Sequence, residues 1–364
     1  QPSGSLNLSI GYSSSDGMII GSSVSQNNFL GTGKKMSTSV NKTDAVTSLN
    51  LSFSNPYYTV DGISRGFSLF YSETDFSKYT SLSDYNTDTY GGRTNYGFPI
   101  NSRERLSFSV EASRTLMQKG TSSIPEEITS FIEDEGDDFY ELTLGSSWSW
   151  TTLNRGLFPT AGAKQSLSVE ATVPGSELEY FRITYNAQKY FPISGDWTFR
   201  VRSEIGFGDG YGDTEELPFF RNFRAGGVGS VRGYTTNSLG PKGVVQHNYY
   251  EDLNGNDVLD DGEERVDWVA DNNRLGGNLL TEASMELVFP LPFVEDQRSM
   301  RSVLFMDMGN VFDTQCYALT EPDSDGDLEH PSCVEGFDVD DIRIGAGVSL
   351  TWITAIGPLT FTFA

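Results

Sequence analysis

The sequence has no apolar run approaching the ~18 residues that a membrane-spanning helix needs, so a helical membrane protein is excluded. Histidine is nearly missing. With only His247 and His330, a multi-histidine metal centre is impossible and a His-based triad has few candidates. Basic residues are scarce too: 25 Lys and Arg against 50 Asp and Glu leave a net charge of −25. That balance argues against nucleic acid as a partner, because phosphate binding needs clustered Lys and Arg. Hydrophobic residues make up only 37%, but with 24 Phe, 17 Tyr and 5 Trp the chain is too aromatic to be disordered. The only cysteines are Cys316 and Cys333, close together in an acidic polar segment. Their spacing suits a disulfide in an oxidising compartment, closing a loop of roughly 17 residues for about 3 kcal/mol by the chain-entropy argument; two free cytosolic thiols are the alternative. There is no signal peptide, and Gln1 opens directly in a polar, turn-like segment, as expected of a processed or excised piece.

What is present is period two. Leu6, Leu8, Ile10 and Tyr12 alternate with Asn7, Ser9 and Gly11. Leu49, Leu51 and Phe53 alternate with Asn50 and Ser52, and Leu106, Phe108, Val110 and Ala112 with Ser107, Ser109 and Glu111. The same rhythm runs through Leu142–Trp150, Trp197–Phe207 and Ile342–Trp352. Strict alternation over 6 to 11 residues means β-strands with one apolar and one polar face.

A soluble sandwich alternates as well, but with short strands and large inward residues. Here strands often reach ten or more residues, and the polar face is Ser, Thr, Gly, Arg and Glu, fit for a wet lumen. Aromatics such as Tyr57, Tyr58, Phe98, Trp148, Tyr190 and Trp352 recur near strand ends, the girdle pattern of an all-β, antiparallel transmembrane β-barrel. Short turns, such as residues 30–33, 99–102, 193–196 and 355–358, alternate with long ones over 118–138, 209–276 and 313–340. Alternating segments are expected near 5–13, 17–27, 34–42, 46–54, 65–75, 87–98, 105–117, 139–152, 164–173, 179–191, 197–208, 277–289, 301–312, 341–354 and 358–364. That is fifteen. Single-chain bacterial barrels have an even number, so a sixteenth, C-terminal strand is expected in the full protein. One helix is expected inside a long loop, with Ser123 as cap, Pro125 in the first turn, Ile124, Ile128, Phe131 and Ile132 on one face and Gly136 as its end. Its acidity points to packing on neighbouring loops rather than on anionic lipid.

The longest loop, 209–276, carries Phe219–Tyr234, rich in Gly and Arg and without a period. Its Val231-Arg232-Gly233-Tyr234 resembles the Val-Arg-Gly-aromatic signature in the sixth loop of the BamA family of outer-membrane protein assembly factors. Asn28–Gly33, Asn55–Gly62, Gly97–Asn101, Arg155–Thr160, Phe305–Gly309 and Gly357–Leu359 resemble that family in order, so the likeness covers essentially all of 1–364. The resemblance implies an outer-membrane barrel domain of a Gram-negative bacterium, with 209–276 a sixth extracellular loop folded into the lumen. The family's POTRA domains and final strand, with its terminal aromatic, are not in this sequence. Implied partners are nascent outer-membrane β-barrel proteins, outer-membrane lipid and lipopolysaccharide, and accessory lipoproteins held through POTRA domains.

An Arg on a loop inside a lumen must find carboxylates, because burying an unpaired charge costs several kcal/mol. Glu286 is in phase with Glu282 and Ser284, and Asp307 alternates with Met306 and Met308, so both should face inward. The resemblance implies that Arg232 meets acidic residues at these two places, as a lock tying loop to wall; a solvated Arg in a flexible loop is the plainer alternative. In the same loop, Asp252, Asn254, Asn256, Asp260 and Glu263 match oxygen-ligand positions of a twelve-residue Ca²⁺ loop. However, Asp257 stands where Gly is expected and no flanking helices are evident, so a solvated acidic loop is the alternative. Gly31–Lys35 fails as a phosphate loop because a strand follows it.

Three functions remain. The first is an insertase that folds barrels into the outer membrane without chemical catalysis. Its client strands would dock at a lateral seam whose edge is the first strand, Leu6, Leu8, Ile10 and Tyr12. The second is a related transporter secreting a polypeptide through its pore, which shares the arginine motif. The third is a passive porin, which the motif disfavours. No Ser, His and Asp set has suggestive spacing for a hydrolase.

Overall fold

In a computed structural model of the chain, residues 4–13, 17–79, 81–120, 124–250, 264–291, 299–316, 333, 336–354 and 357–364 are described. The strands are β1 Gly4–Ser13, β2 Gly17–Gln26, β3 Lys35–Lys42, β4 Val46–Asn55, β5 Ser64–Asp75, β6 Tyr85–Pro99, β7 Glu104–Lys119, β8 Asp138–Thr151, β9 Gly162–Thr172, β10 Tyr180–Ser194 and β11 Trp197–Gly210. After these come β12 Lys242–Tyr250, β13 Glu264–Arg274, β14 Leu279–Phe289, β15 Met300–Phe312, β16 Arg343–Thr354 and β17 Gly357–Phe363. Fifteen of them form one sheet in the order β1 to β11, then β14 to β17, every neighbour antiparallel. The edges β1 and β17 are not paired with each other, so the sheet is not closed.

The pleat sorts the side chains as the alternation requires. On β8, Tyr140, Leu142 and Leu144 are exposed on the outer face, while Phe139 and Glu141 point inward and are buried. Inside, Asn50, Ser52, Arg93, Glu111, Ser147 and Glu170, from strands β4 to β9, line one polar cavity of about 840 Å³. Tyr57, Tyr58, Phe191, Trp197 and Trp352 are exposed near the short-turn rim, where amphipathic rings belong at a membrane surface. The described residues contain no helix long and apolar enough to cross a membrane.

The three longest connections leave from the opposite rim: 120–137, 211–278 and 313–342. Helix α1, Glu126–Glu135, lies in the first of these. Pro125 takes the N-cap position, and the expected cap Ser123 lies outside the described residues. Gly136, at φ 94°, ends the helix with its N–H donating to the Ile132 carbonyl. Ile128 is fully buried against Phe139, Phe219 and their neighbours, and both oxygens of Glu127 accept from the Val244 N–H at 3.1 Å. The helix therefore packs on the long loop of residues 211–278.

The described part of that loop has more regular structure than its sequence suggested. It contains the hairpin β12–β13, paired from Lys242↔Arg274 to Tyr250↔Glu264. A run such as Val-Val-Gln-His-Asn-Tyr-Tyr, rich in β-branched and aromatic residues, was the available signal. The twelfth strand of the large sheet also begins at Leu279 rather than 277, because Gly277 pairs instead with Phe223 of the loop.

Candidate functional site

The segment 223–239 of the long loop returns to the wall as a compact tip. Phe223, Ala225, Val231 and Leu239 bury against Leu280 of β14 and Val311 of β15, with Tyr234 packed on the cluster. The tip turns on glycines: Gly233 sits at φ 97°, a conformation that side chains with a Cβ rarely adopt. Wall and tip approach closely at Gly345 of β16, where a Cβ would stand 1.9 Å from the Arg232 carbonyl oxygen.

Val231, fully buried, drives the next residue onto β14 and β15. Arg232 donates from Nε to Asp307 Oδ2 at 2.6 Å, and from Nη2 to Asp307 Oδ1 at 2.8 Å and to Glu286 Oε1 at 2.9 Å. Its backbone N–H adds a bond to Asp307 Oδ2 at 3.1 Å, and Nη2 reaches Ser284 Oγ at 3.3 Å. The guanidinium lies 3.7 Å from the centroid of the Phe305 ring. Asp307 has no exposed surface, and Ser284 Oγ donates to its Oδ1 at 2.6 Å. Glu286 is shared, accepting also from Arg200 Nη1 at 2.9 Å, with Arg301 at 4.0 Å. Tyr234 donates its hydroxyl to the Ile344 carbonyl at 3.2 Å.

Burial works against the charge on Arg232, but the hydrogen bonds and charges of Asp307 and Glu286 outweigh it and hold the guanidinium above its ordinary pKa. Planar bidentate pairing is what arginine offers and lysine does not. Chemically the arrangement can hold a loop in place.

Val231, Arg232, Gly233, Tyr234, Glu286 and Asp307 thus gather in one place. Sequence reasoning missed Ser230, whose hydroxyl donates to Glu282, and Ser284, Arg200 and Phe305. Arg200, Glu282 and Ser284 share the inward phase of their strands, so period two was the signal; nothing local marked Ser230. The first strand lies elsewhere: Leu6, Leu8, Ile10 and Tyr12 are 66–80% exposed on the edge strand β1, which pairs only with β2. Cys316 and Cys333 are joined in a disulfide with Cα atoms 5.7 Å apart. The five calcium candidates, Asp252, Asn254, Asn256, Asp260 and Glu263, lie outside the described residues.

The Omp85 superfamily domain matches residues 28–364. The outer membrane protein assembly factor BamA of Neisseria meningitidis serogroup B is 32% identical over 99% of the chain, which spans 44% of that relative. The protein of the same name from Buchnera aphidicola is 29% identical over 30% of the chain and 17% of its own length. A crystal structure of BamA from Haemophilus ducreyi lacking POTRA domains 1-3 superposes over 100% of the chain and 66% of its own, with TM-score 0.82 and 27% identity. CdiB from Acinetobacter baumannii, at 12% identity and TM-score 0.51 over 98% of the chain and 55% of its own, shares the fold alone. The chain thus spans less than half the length of the curated relatives it matches.

Proposed function

The chain belongs to the Omp85 superfamily, and from that premise we propose that it is the barrel of an outer-membrane protein assembly machine, which folds and inserts other β-barrel proteins. It is an outer-membrane β-barrel domain of a Gram-negative bacterium. The observation that carries the proposal is the match to the Omp85 superfamily domain over residues 28–364, with 32% identity to an outer membrane protein assembly factor over 99% of the chain. Unpaired backbone groups on an edge template another strand, and in a barrel such an edge exists only where first and last strands meet. The partners we propose are nascent barrel proteins at this edge, lipid and lipopolysaccharide around the outer face, and accessory lipoproteins reached through POTRA domains. The role needs no chemical catalysis: the client's own burial and strand pairing supply the driving force. The greater identity to assembly factors than to CdiB favours assembly over the alternative of a secretion transporter.

The test is a disulfide between residue 8, as Leu8→Cys, and the strand that closes the barrel in the full-length protein. With the seam locked, insertion of client barrels into proteoliposomes should stop, and reduction should restore it. Undiminished insertion with the seam closed would sink the proposal.

A further inference from the structure

The loop enters the mouth through Phe219–Arg224, and this arm carries two arginines that the Arg232 lock does not use. Arg221, at the end of the 3-10 helix Phe219–Arg221, donates from Nη2 to Glu141 Oε2 at 2.5 Å. Glu141 projects inward from β8, and its side chain has no exposed surface. The guanidinium of Arg221 lies 5.6 Å from the centroid of the Tyr180 ring and 5.4 Å from that of Phe220. Three residues on, Arg224 donates to the Tyr85 hydroxyl of β6 at 2.6 Å and covers the Phe76 ring at 4.9 Å.

A carboxylate without exposed surface inside an aromatic cluster persists only if a cation meets it. Here that cation comes from the loop, 80 residues away in the chain. Among the described residues Glu141 Oε1 accepts no hydrogen bond, and Arg221 is the cation paired with this carboxylate, beside Tyr180. The two sets of contacts sit far apart on the wall. In sheet order β8 is the eighth strand and β15 the thirteenth, five apart, and β6 is seven from β15.

We infer that Arg221 and Glu141 are a second lock, a positioning pair that ties the incoming arm of the loop to β8 while Arg232 ties its tip to β14 and β15. A loop held at one point can swing about it; held at two distant points it forms a strap across the lumen. Each lock then guards its own stretch: Phe219–Asn222 for the first, Phe223, Tyr234 and their neighbours for the second.

The experiment is chymotrypsin digestion of the full-length protein in lipid nanodiscs, with cut sites mapped by mass spectrometry and heat-modifiable gel mobility reporting the folded barrel. Arg221→Gln should raise cleavage after Phe219 and Phe220 by about tenfold while Phe223 and Tyr234 stay protected; Arg232→Ala should give the reverse pattern. The isosteric Glu141→Gln is the second variant and should open the same arm. The exchange Arg221→Glu with Glu141→Arg should recover most of the protection. Two results would overturn the inference: an arm as protected as in the parent in both single variants, or tip and arm opening together whichever lock is cut. No client takes part in the digestion, so the outcome is independent of the assembly proposal.

Discussion

Asp307 accepts three hydrogen bonds from Arg232, two from the guanidinium and one from the backbone N–H, across 75 residues of chain. The carboxylate grips both the side chain and the main chain of one loop residue. The loop's path over the wall, and not only the position of one side chain, therefore depends on this pair.

Arg232→Ala should take from Asp307 the cation paired with it, while Glu286 beside it keeps Arg200 and, at 4.0 Å, Arg301. Breaking a buried pair typically costs about 3–5 kcal/mol, and less where water enters. The expected result is a loop cut near Tyr234 by protease, poor client assembly and a barrel still inserted. Arg232→Lys should fall between parent and Ala, because the ammonium keeps the charge but loses the fork. Parent-like loop protection in Arg232→Ala would show that the lock carries no load.

Gly345→Ala should release the tip without touching a charge. The added Cβ would meet the Arg232 carbonyl oxygen at 1.9 Å, far inside contact distance, so the tip must move away. Because β16 keeps its ladder, the folded barrel should persist while protease cleavage near Tyr234 rises as in Arg232→Ala. A crystal or cryo-EM structure of the variant with Arg232 still on Asp307 would contradict this.

The arm of the loop should be pH-sensitive at Glu216. Burial first, then the charges of Asp313, Glu215, Asp209 and Glu127, push its carboxyl up to about 7. In that window the folded arm binds more protons than the unfolded arm, so its stability falls as pH rises from the ordinary carboxylate range through about 7. Protection of amides 214–220, measured by hydrogen exchange corrected for intrinsic rate, should be higher at pH 5 than at pH 8. Glu216→Gln should flatten the difference; an unchanged slope would assign it to another group.

Removing the disulfide with Cys316→Ser should loosen the connection between β15 and β16 and little else. Its ends are 17 residues apart, and closing such a loop is worth about 3 kcal/mol by the chain-entropy argument. The expected outcome is faster proteolysis between 313 and 342 with unchanged barrel mobility on gels. An unfolded barrel would show that the bridge supports the wall itself.

Period two is a local property, readable residue by residue, and it located the fifteen sheet strands to within about three residues of their ends. It also assigned Leu8 to the outer face and Glu286 and Asp307 to the inner one, since a strand's faces follow from parity alone. The segment Phe219–Tyr234 stood out because glycine and arginine without a period are unusual in a chain of alternating strands, and Val231–Tyr234 within it was legible through its resemblance to the family signature. What parity cannot state is which inward residues meet. Arg224 and Tyr85 are 139 residues apart, and Glu127 and Val244 are 117. Those contacts depend on the curvature of the sheet and on the course of a loop that carries its own hairpin. Arg221 and Glu141 look like ordinary surface charges in the sequence. Only the folded chain removes Glu141 from water and brings a cation to it, because burial and pairing are properties of position in space rather than of neighbours along the chain.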